Sequence, residues 1–548
     1  MAVLTAITAW TVADVQHFAR RAGFGLSPED AATLAAQAPG TAIDAWIDGT
    51  ALDPTAYQAA AATADVVLEP LISASTSVAG SVDVPAVQPP HPFLVEGADA
   101  WRNSLNTAQA LTAWRMQHNP YAFQERMALF WHNLFATGWH KVNNAALMLK
   151  QYQTFRTLGL AKFDDLLVAV SQDPAMAVWL DSVLNNAAGT KVANENYARE
   201  VMELYSLGAD NGYNQADITQ LARALSGWSF TYADADLKVN PANPNVKYPA
   251  DARFKVYDGS AIAPDTRLWY GGTATNSPNM HAAGTVSYLG QTFDVTTTGG
   301  LAKGENALRS ILTSRGPNCA QFLARRLLTH FVTATYSAMD LADVQAMIQA
   351  AGFDLRAVLK TLLKSQYFFD PANRFALAEG PVSWTVRAAR MLCPALAVAS
   401  AATPKGYPAW RLVTNAATTF DQAGMKLFDP TGPNGWKEHT AWLNSNTIRY
   451  RGKLAAALAL AETRSYSGTT YPLFPTAVTA WFPAAPASPQ DVLTRLTALL
   501  QPAPLPASVT AGWLAALWPS TFTWDAASQA KARELAFLIL CSPAGQLY

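Results

Sequence analysis

The stretch 194-NENYAREVMELYSLG-208 sets the reading of the whole chain. It packs acids, amides, an arginine and two tyrosines into one predicted helix of a protein that is only 14% charged. Glu195, Arg199 and Glu203 fall at i, i+4 and i+8 and share one face, where Arg199 can bridge both acids. Asn196, Glu200 and Glu203 form a second polar line, while Val201, Leu204 and Leu207 supply an apolar stripe ahead of Gly208, a C′ stop. A helix polar on more than one face, with a stripe turned to the core, has to bury some of those carboxylates. Buried carboxylates need partners and gather at functional sites. The competing reading is an ion-pair lattice joining neighbouring helices.

Working outward, nearly every segment from Val12 to about Trp228 has helical period. VADVQHFARRAGFG is an amphipathic helix closed by glycines, and Ser27 with Pro28 starts the next as N-cap and N1. Residues 70–98, rich in Ser, Val and Pro, predict an extended loop before WRNSLNTAQALTAWRMQH and YAFQERMALFWHNLFATGWHK resume the helical pattern. Asn214 and Asp217 have capping-box spacing. Residues 230–300 change character, with turn residues between short β-type runs, and helices return from GENALRSILTS onward. Pro/Ala/Thr-rich connections are expected at 394–408 and 466–490, and final helices near 490–501 and 526–541. The expected fold is mainly α: a large helical domain, for which a toroid-like ring is one form. Its N-terminal half (1–229), loop and short-strand insert (230–300) and C-terminal half (301–548) pack together.

Composition narrows the function. Half of the 548 residues are apolar, enough for a core that needs no disulfide or metal. The net charge is -1 with no basic stripe to track phosphates, which argues against nucleic acid as a ligand. Cys319, Cys393 and Cys541 stand far apart in apolar runs and decide nothing about compartment. No run reaches the roughly 18 apolar residues of a membrane span. MAVLTAITAW has no basic n-region, so the expectation is a cytoplasmic protein, or a periplasmic one whose export signal is not in this chain. Tryptophans with polar neighbours, such as Trp131, Trp228 and Trp436, suit sugar rings or flat apolar ligands, although large cores also use them.

Other segments carry chemistry. In ERMALFWHNLFATGWHK, Arg126, His132 and Asn133 stand in a strongly apolar helix, where a lone histidine is most often a satisfied core residue. His132 and His140 are too far apart along a straight helix to chelate one ion. HExxH and CxxC are absent, so no metal is expected. Asp217 reads as a cap. DPTGPNGWKEHTAWLNSNTIRYR, residues 429–451, follows a rigid Pro/Gly turn with Trp436, Lys437, Glu438, His439 and Trp442, and makes a plausible ligand wall or a well-anchored connection. There is no GxSxG elbow, Walker A loop or GxGxxG, so neither a nucleophilic serine nor a nucleotide cofactor is expected. Carboxylate chemistry remains, from Glu195, Glu200 and Asp181.

Taken in order, RRAGFG, FWHNLFATGWHKV, the 173–181 run, NENYAREVMELYSLG, DITQLARALSGWSF, HAAG…YLGQ, FLARRLLTHFV and NGWKEHTAWLNSNTIRYR resemble the bacterial domain-of-unknown-function family number 1800. The resemblance spans about residues 15–460 and implies a single large helical domain without implying a reaction. It also implies a histidine where Leu134 stands and an aspartate where Ala282 stands, so a metal site built on those positions in relatives would be lost here.

The resulting expectation is a hydrolase or transglycosylase acting on a small-molecule or oligosaccharide substrate, with two carboxyl groups flanking the bond, one protonated and one ionised. Glu200 and Glu195 are the expected pair, although five residues on one helix turn them about 140° apart. Asp181 is the reserve partner. His132, Asn133, Arg199, Trp131, Trp228 and Trp436 would bind substrate, without cofactor or metal. The alternative is a non-catalytic envelope or assembly protein whose acidic helix is a structural lattice.

Overall fold

Asn196–Glu200 is α-helical, but Val201–Ser206 widens into a π-helix, and Leu207 and Gly208 both donate to the Met202 carbonyl. Gly208 ends the segment at φ +93, as its position predicts. A wheel drawn at about 100° per residue therefore stops describing the stretch beyond Glu200. A second π-helix, Leu328–Val332, closes the Gly316–Leu327 helix.

The computed structural model describes residues 4–50, 98–142, 144–233, 237–240, 243–249, 252–262, 266–269, 276–294, 300–394, 420–460, 462–466, 469–472 and 477–548. Apart from Ala98 and Pro394, the segments expected at 70–98 and 394–408 lie outside them. The described chain is mainly helical. Local chemistry explains where helices begin. Ser27 accepts from the Asp30 amide with Pro28 in the first turn, and Asn214 and Asp217 close the expected capping box. Asp217 also accepts from the Leu289 amide, so both its oxygens are structural.

Strands are short. β1 (Trp228–Ala233), β2 (Leu237–Asn240), β3 (Asn243–Pro249), β4 (Arg253–Val256), β5 (Thr266–Leu268), β6 (Thr285–Tyr288) and β7 (Gln291–Asp294) fall within the expected insert, β1 starting just ahead of it. They form an antiparallel β4-β1-β5 sheet and the hairpins β2-β3 and β6-β7. A further hairpin, β8 (Thr463–Tyr466) with β9 (Thr469–Pro472), lies outside that insert. Thr and Tyr on both sides of a Ser-Gly pair are the signal for it. An unexpected helix, Ala507–Leu517, has no fully buried residue.

One continuous hydrophobic cluster takes residues from Val15 to Leu540. Within it Ala122–Leu134 packs on Ala145–Leu158, and Pro381–Leu392 packs on both Ala98–His118 and Ser445–Ala459. Residues on either side of the insert thus share a core. The RRAGFG turn is pressed onto the first turn of Ala122–Leu134: a Cβ on Gly23 would lie 3.2 Å from that of Ala122. That packing carries Arg20 and Arg21 inside, at 3% and 0% exposure. Among the described residues no helix is long and apolar enough to cross a membrane.

Candidate active-site cleft

Arg126, Leu129 and Asn133 recur at i, i+3 and i+7, so Ala122–Leu134 turns one mixed face toward a cleft. Across it lie His330, on the second π-turn, and the loop carrying Trp436, Lys437, Glu438 and His439. Ala378, Gly380, Ser383, Met425, Trp442 and Tyr548 also line it.

The side chain of Asn133 clamps the loop. Its Oδ1 accepts from the Trp436 amide at 2.7 Å, and its Nδ2 donates to Glu438 Oε1 at 3.1 Å. The approach requires glycine at 435, where φ is +74 and a Cβ would stand 2.2 Å from the Asn133 carbonyl oxygen. His439 comes four residues later at φ +54, an unusual value for a side-chain-bearing residue and one that is common at functional sites. His330 Nδ1 lies 3.9 Å from Glu438 Oε1, and His439 Nε2 lies 4.0 Å from Oε2.

The electrostatics follow from burial and from these neighbours. Burial pushes the Glu438 carboxyl up, but the facing His330, with His439 and Arg326, pulls it further down, to below the usual carboxylate range. Burial lowers His330 to about 4 against the pull of Glu438, and lowers His439 as well. At neutral pH the cleft therefore holds one carboxylate and two neutral imidazoles. His330 Nε2, both ring nitrogens of His439 and Arg126 Nε are buried without a hydrogen-bond partner. Core nitrogens such as His17 Nδ1, His132 Nδ1 and Arg20 Nε share that state, so it is the position of these groups in the cleft that sets them apart.

Of the residues expected from sequence, Asn133 and Trp436 line this cleft. His132 stands behind it. Its Nε2 accepts from the Phe428 amide at 3.0 Å, and burial lowers it to about 3, so it anchors the loop's entry rather than meeting a ligand. Trp131 is 0% exposed and donates to the Gly159 carbonyl, while Trp228 is 2% exposed against Gly304. Both fill the core and offer no face to a sugar.

The acidic helix lies elsewhere. Glu195 accepts from Arg199 at 3.1 Å, Gln215 at 2.7 Å and Thr219 at 2.6 Å, and Arg199 also pairs with Glu203 at 3.4 Å. Both ion pairs lie within one partly exposed helix, and the neutral Gln215 and Thr219 reach it from the next. Glu200 is half-buried and its carboxyl is raised by burial and by Glu203, against the pull of Arg199. Asp181 pairs with Lys141 at 2.7 Å. Neither Glu195, Arg199, Glu200 nor Asp181 lines this cleft. Lys437, Glu438, His439 and Trp442 of the cleft belong to the 429–451 segment singled out in the sequence, whereas His330 does not figure there. The available signal was polar side chains set inside apolar or Pro/Gly-rich runs.

Comparison with known families gives one result. The model of the family described as "Protein of unknown function (DUF1800)" matches residues 17–547, nearly the whole chain. The protein belongs to the DUF1800 family. No curated protein and no solved structure matches it. DUF1800 membership assigns no reaction. Leu134 and Ala282, where DUF1800 relatives are expected to carry His and Asp, are buried at 4% and 2%, and neither lines the cleft. Among the described residues no three His, Cys, Asp or Glu are grouped to hold a metal ion.

Proposed function

We propose that this DUF1800 protein is a hydrolase working by carboxylate acid/base chemistry, with Glu438 as the general base. The observation that carries the reading is an ionised carboxylate, held by Asn133 and faced by two imidazoles with unsatisfied nitrogens, in the same cleft as a buried arginine. Glu438 keeps 26% of its side chain exposed, so a water molecule can reach it. In the reaction the water oxygen bonds to the electrophilic centre as its proton passes to Glu438. The bond to the leaving group then breaks, and the leaving group takes that proton from Glu438. Arg126 faces the negative charge that develops in between.

Carbohydrate as substrate draws limited support from Trp436 and Trp442, which line the cleft but are only 5% and 6% exposed. A two-carboxylate glycosidase needs partners about 5–5.5 Å or 6.5–9.5 Å apart, and the cleft lining supplies Glu438 alone. Esters and phosphoesters therefore join glycosides in the test, a panel of all three read by product mass. Product formed by the wild type and lost in Glu438→Gln supports the reading; product made equally by both removes it. The non-catalytic alternative is favoured by the Glu195–Arg199–Glu203 ion pairs, and predicts no product from any member.

A further inference from the structure

We infer that the cleft takes its substrate by an oxyanion group, a carboxylate or phosphate, bound at Arg126. The inference names the substrate class for the hydrolase reading and rests on it for purpose. Arg126 is 1% exposed yet lines the cleft. Its Nη1 donates to a neutral hydroxyl, Ser383 Oγ, at 2.8 Å, and its Nε has no partner. The guanidinium lies over the rings of Phe24 and Tyr548, at 5.6 and 5.1 Å from their centroids. Ring stacking leaves the donors on the edge of a guanidinium available for the planar fork that carboxylates and phosphates fit.

The surroundings strengthen the case. Arg20, Arg21, Arg387 and Arg451 are also buried, at 3%, 0%, 1% and 1%, and the group includes one buried carboxylate, Glu379, paired with Arg387 at 2.8 Å. Counting Glu438 across the cleft, five arginines face two carboxylates, so positive charge remains in excess. The other four bind main-chain or amide oxygens: Arg20 the side chain of Gln501, Arg21 the Asn373 carbonyl, Arg387 the Leu500 carbonyl and Arg451 the side chain of Gln546. They tie the fold together, although the Nε of Arg20, Arg21 and Arg451 is likewise without a partner. Burial and neighbouring arginines lower Arg20 to about 9, a sign of how little this interior offers to balance charge. Arg126 alone of the five lines the cleft, with the Ser383 hydroxyl as its hydrogen-bond partner. An unpaired buried cation is costly, and an anion arriving at it offsets that cost. Glu438, the carboxylate of the same cleft, repels such an anion and so keeps it on the Arg126 side.

The test is thermal unfolding of the full-length protein, titrated with sodium phosphate or sodium acetate at constant ionic strength set by sodium chloride. A saturable rise in melting temperature is expected with at least one anion; the one that acts separates a phosphate from a carboxylate group. Arg126→Gln should weaken that response about tenfold or more, the worth of a lost charge-assisted hydrogen bond. Glu438→Gln, which removes the repelling charge, should strengthen it several-fold and keeps the inference testable if Arg126→Gln does not fold. No saturable response from either anion overturns the inference, as does a response that Glu438→Gln leaves unchanged or weakens. Binding is read without turnover, so the two readings fail separately. An anion response with no product from the panel removes the hydrolase reading alone, and turnover of neutral substrates with no anion response removes the oxyanion alone.

Discussion

Two glutamates show what a single residue's surroundings decide. Glu200 and Glu438 both stand in polar runs of the sequence, and the acidic helix stands out more because its carboxylates fall into lines. Helical spacing tells which residues share a face, not which face meets a cleft. Glu200 is held above the usual carboxylate range by burial and by Glu203, so the folded state keeps a proton that the unfolded chain has released. Its contribution is full below the unfolded pKa and is lost as pH rises through the folded one. Glu200→Gln removes that loss. The variant should melt slightly higher than wild type at pH 7 and no higher at pH 4, with turnover unchanged. Lower melting at pH 7 would mean that the carboxylate has an ion-pair partner. Glu438 has the opposite sign, since its neighbours favour the charged form.

Among the elements, the cleft depends on contacts that no local pattern encodes. The Pro/Gly turn and aromatics of 429–451 marked it as a ligand wall or an anchored connection, but its closure on Asn133 joins residues about three hundred positions apart. The π-turn under His330 was illegible for a related reason. A bulge of one residue leaves the apolar pattern of FLARRLLTHFV intact while re-aiming the side chains beyond it. Asn133→Ala strips the Trp436 amide of its acceptor and Glu438 of its donor. It should cost about 1–3 kcal/mol in stability, the penalty for a buried group left unpaired. Gly435→Ala forces a Cβ to within 2.2 Å of the Asn133 carbonyl oxygen at a left-handed φ. It should lose activity more completely than stability, because the loop can swing away while the core stays packed. Denaturant unfolding alongside turnover separates the two; a Gly435→Ala protein with wild-type turnover would show that the clamp does not position Glu438.

For the whole molecule, the helical fold was legible because long apolar periods and capping signals agree from Val12 to Cys541. A net charge of -1 gave no hint of an interior holding five arginines and several neutral histidines. Burial lowers His118 and His132 to about 3 and His330 to about 4, and lowers His17 too. The unfolded chain binds protons near pH 6.5 that the folded one refuses. Stability is therefore present above that pH and lost as pH falls toward the folded values. Asp173, raised by burial to about 7, and Glu200 work the other way, but they are outnumbered by the lowered histidines, which include His281 and His439. The melting temperature should fall steadily from pH 6.5 to 4, and a flat profile would show that these histidines are not buried neutral. The most direct measurement of the central claim is turnover of Glu438→Gln and Glu200→Gln beside wild type, on whichever panel substrate is cleaved, with melting recorded on the same samples. Loss of general-base help predicts a fall of about 10²–10⁴-fold for Glu438→Gln, with melting lowered only slightly, and none for Glu200→Gln. Full turnover by Glu438→Gln, with loss in Glu200→Gln, would return the active site to the acidic helix and contradict the account.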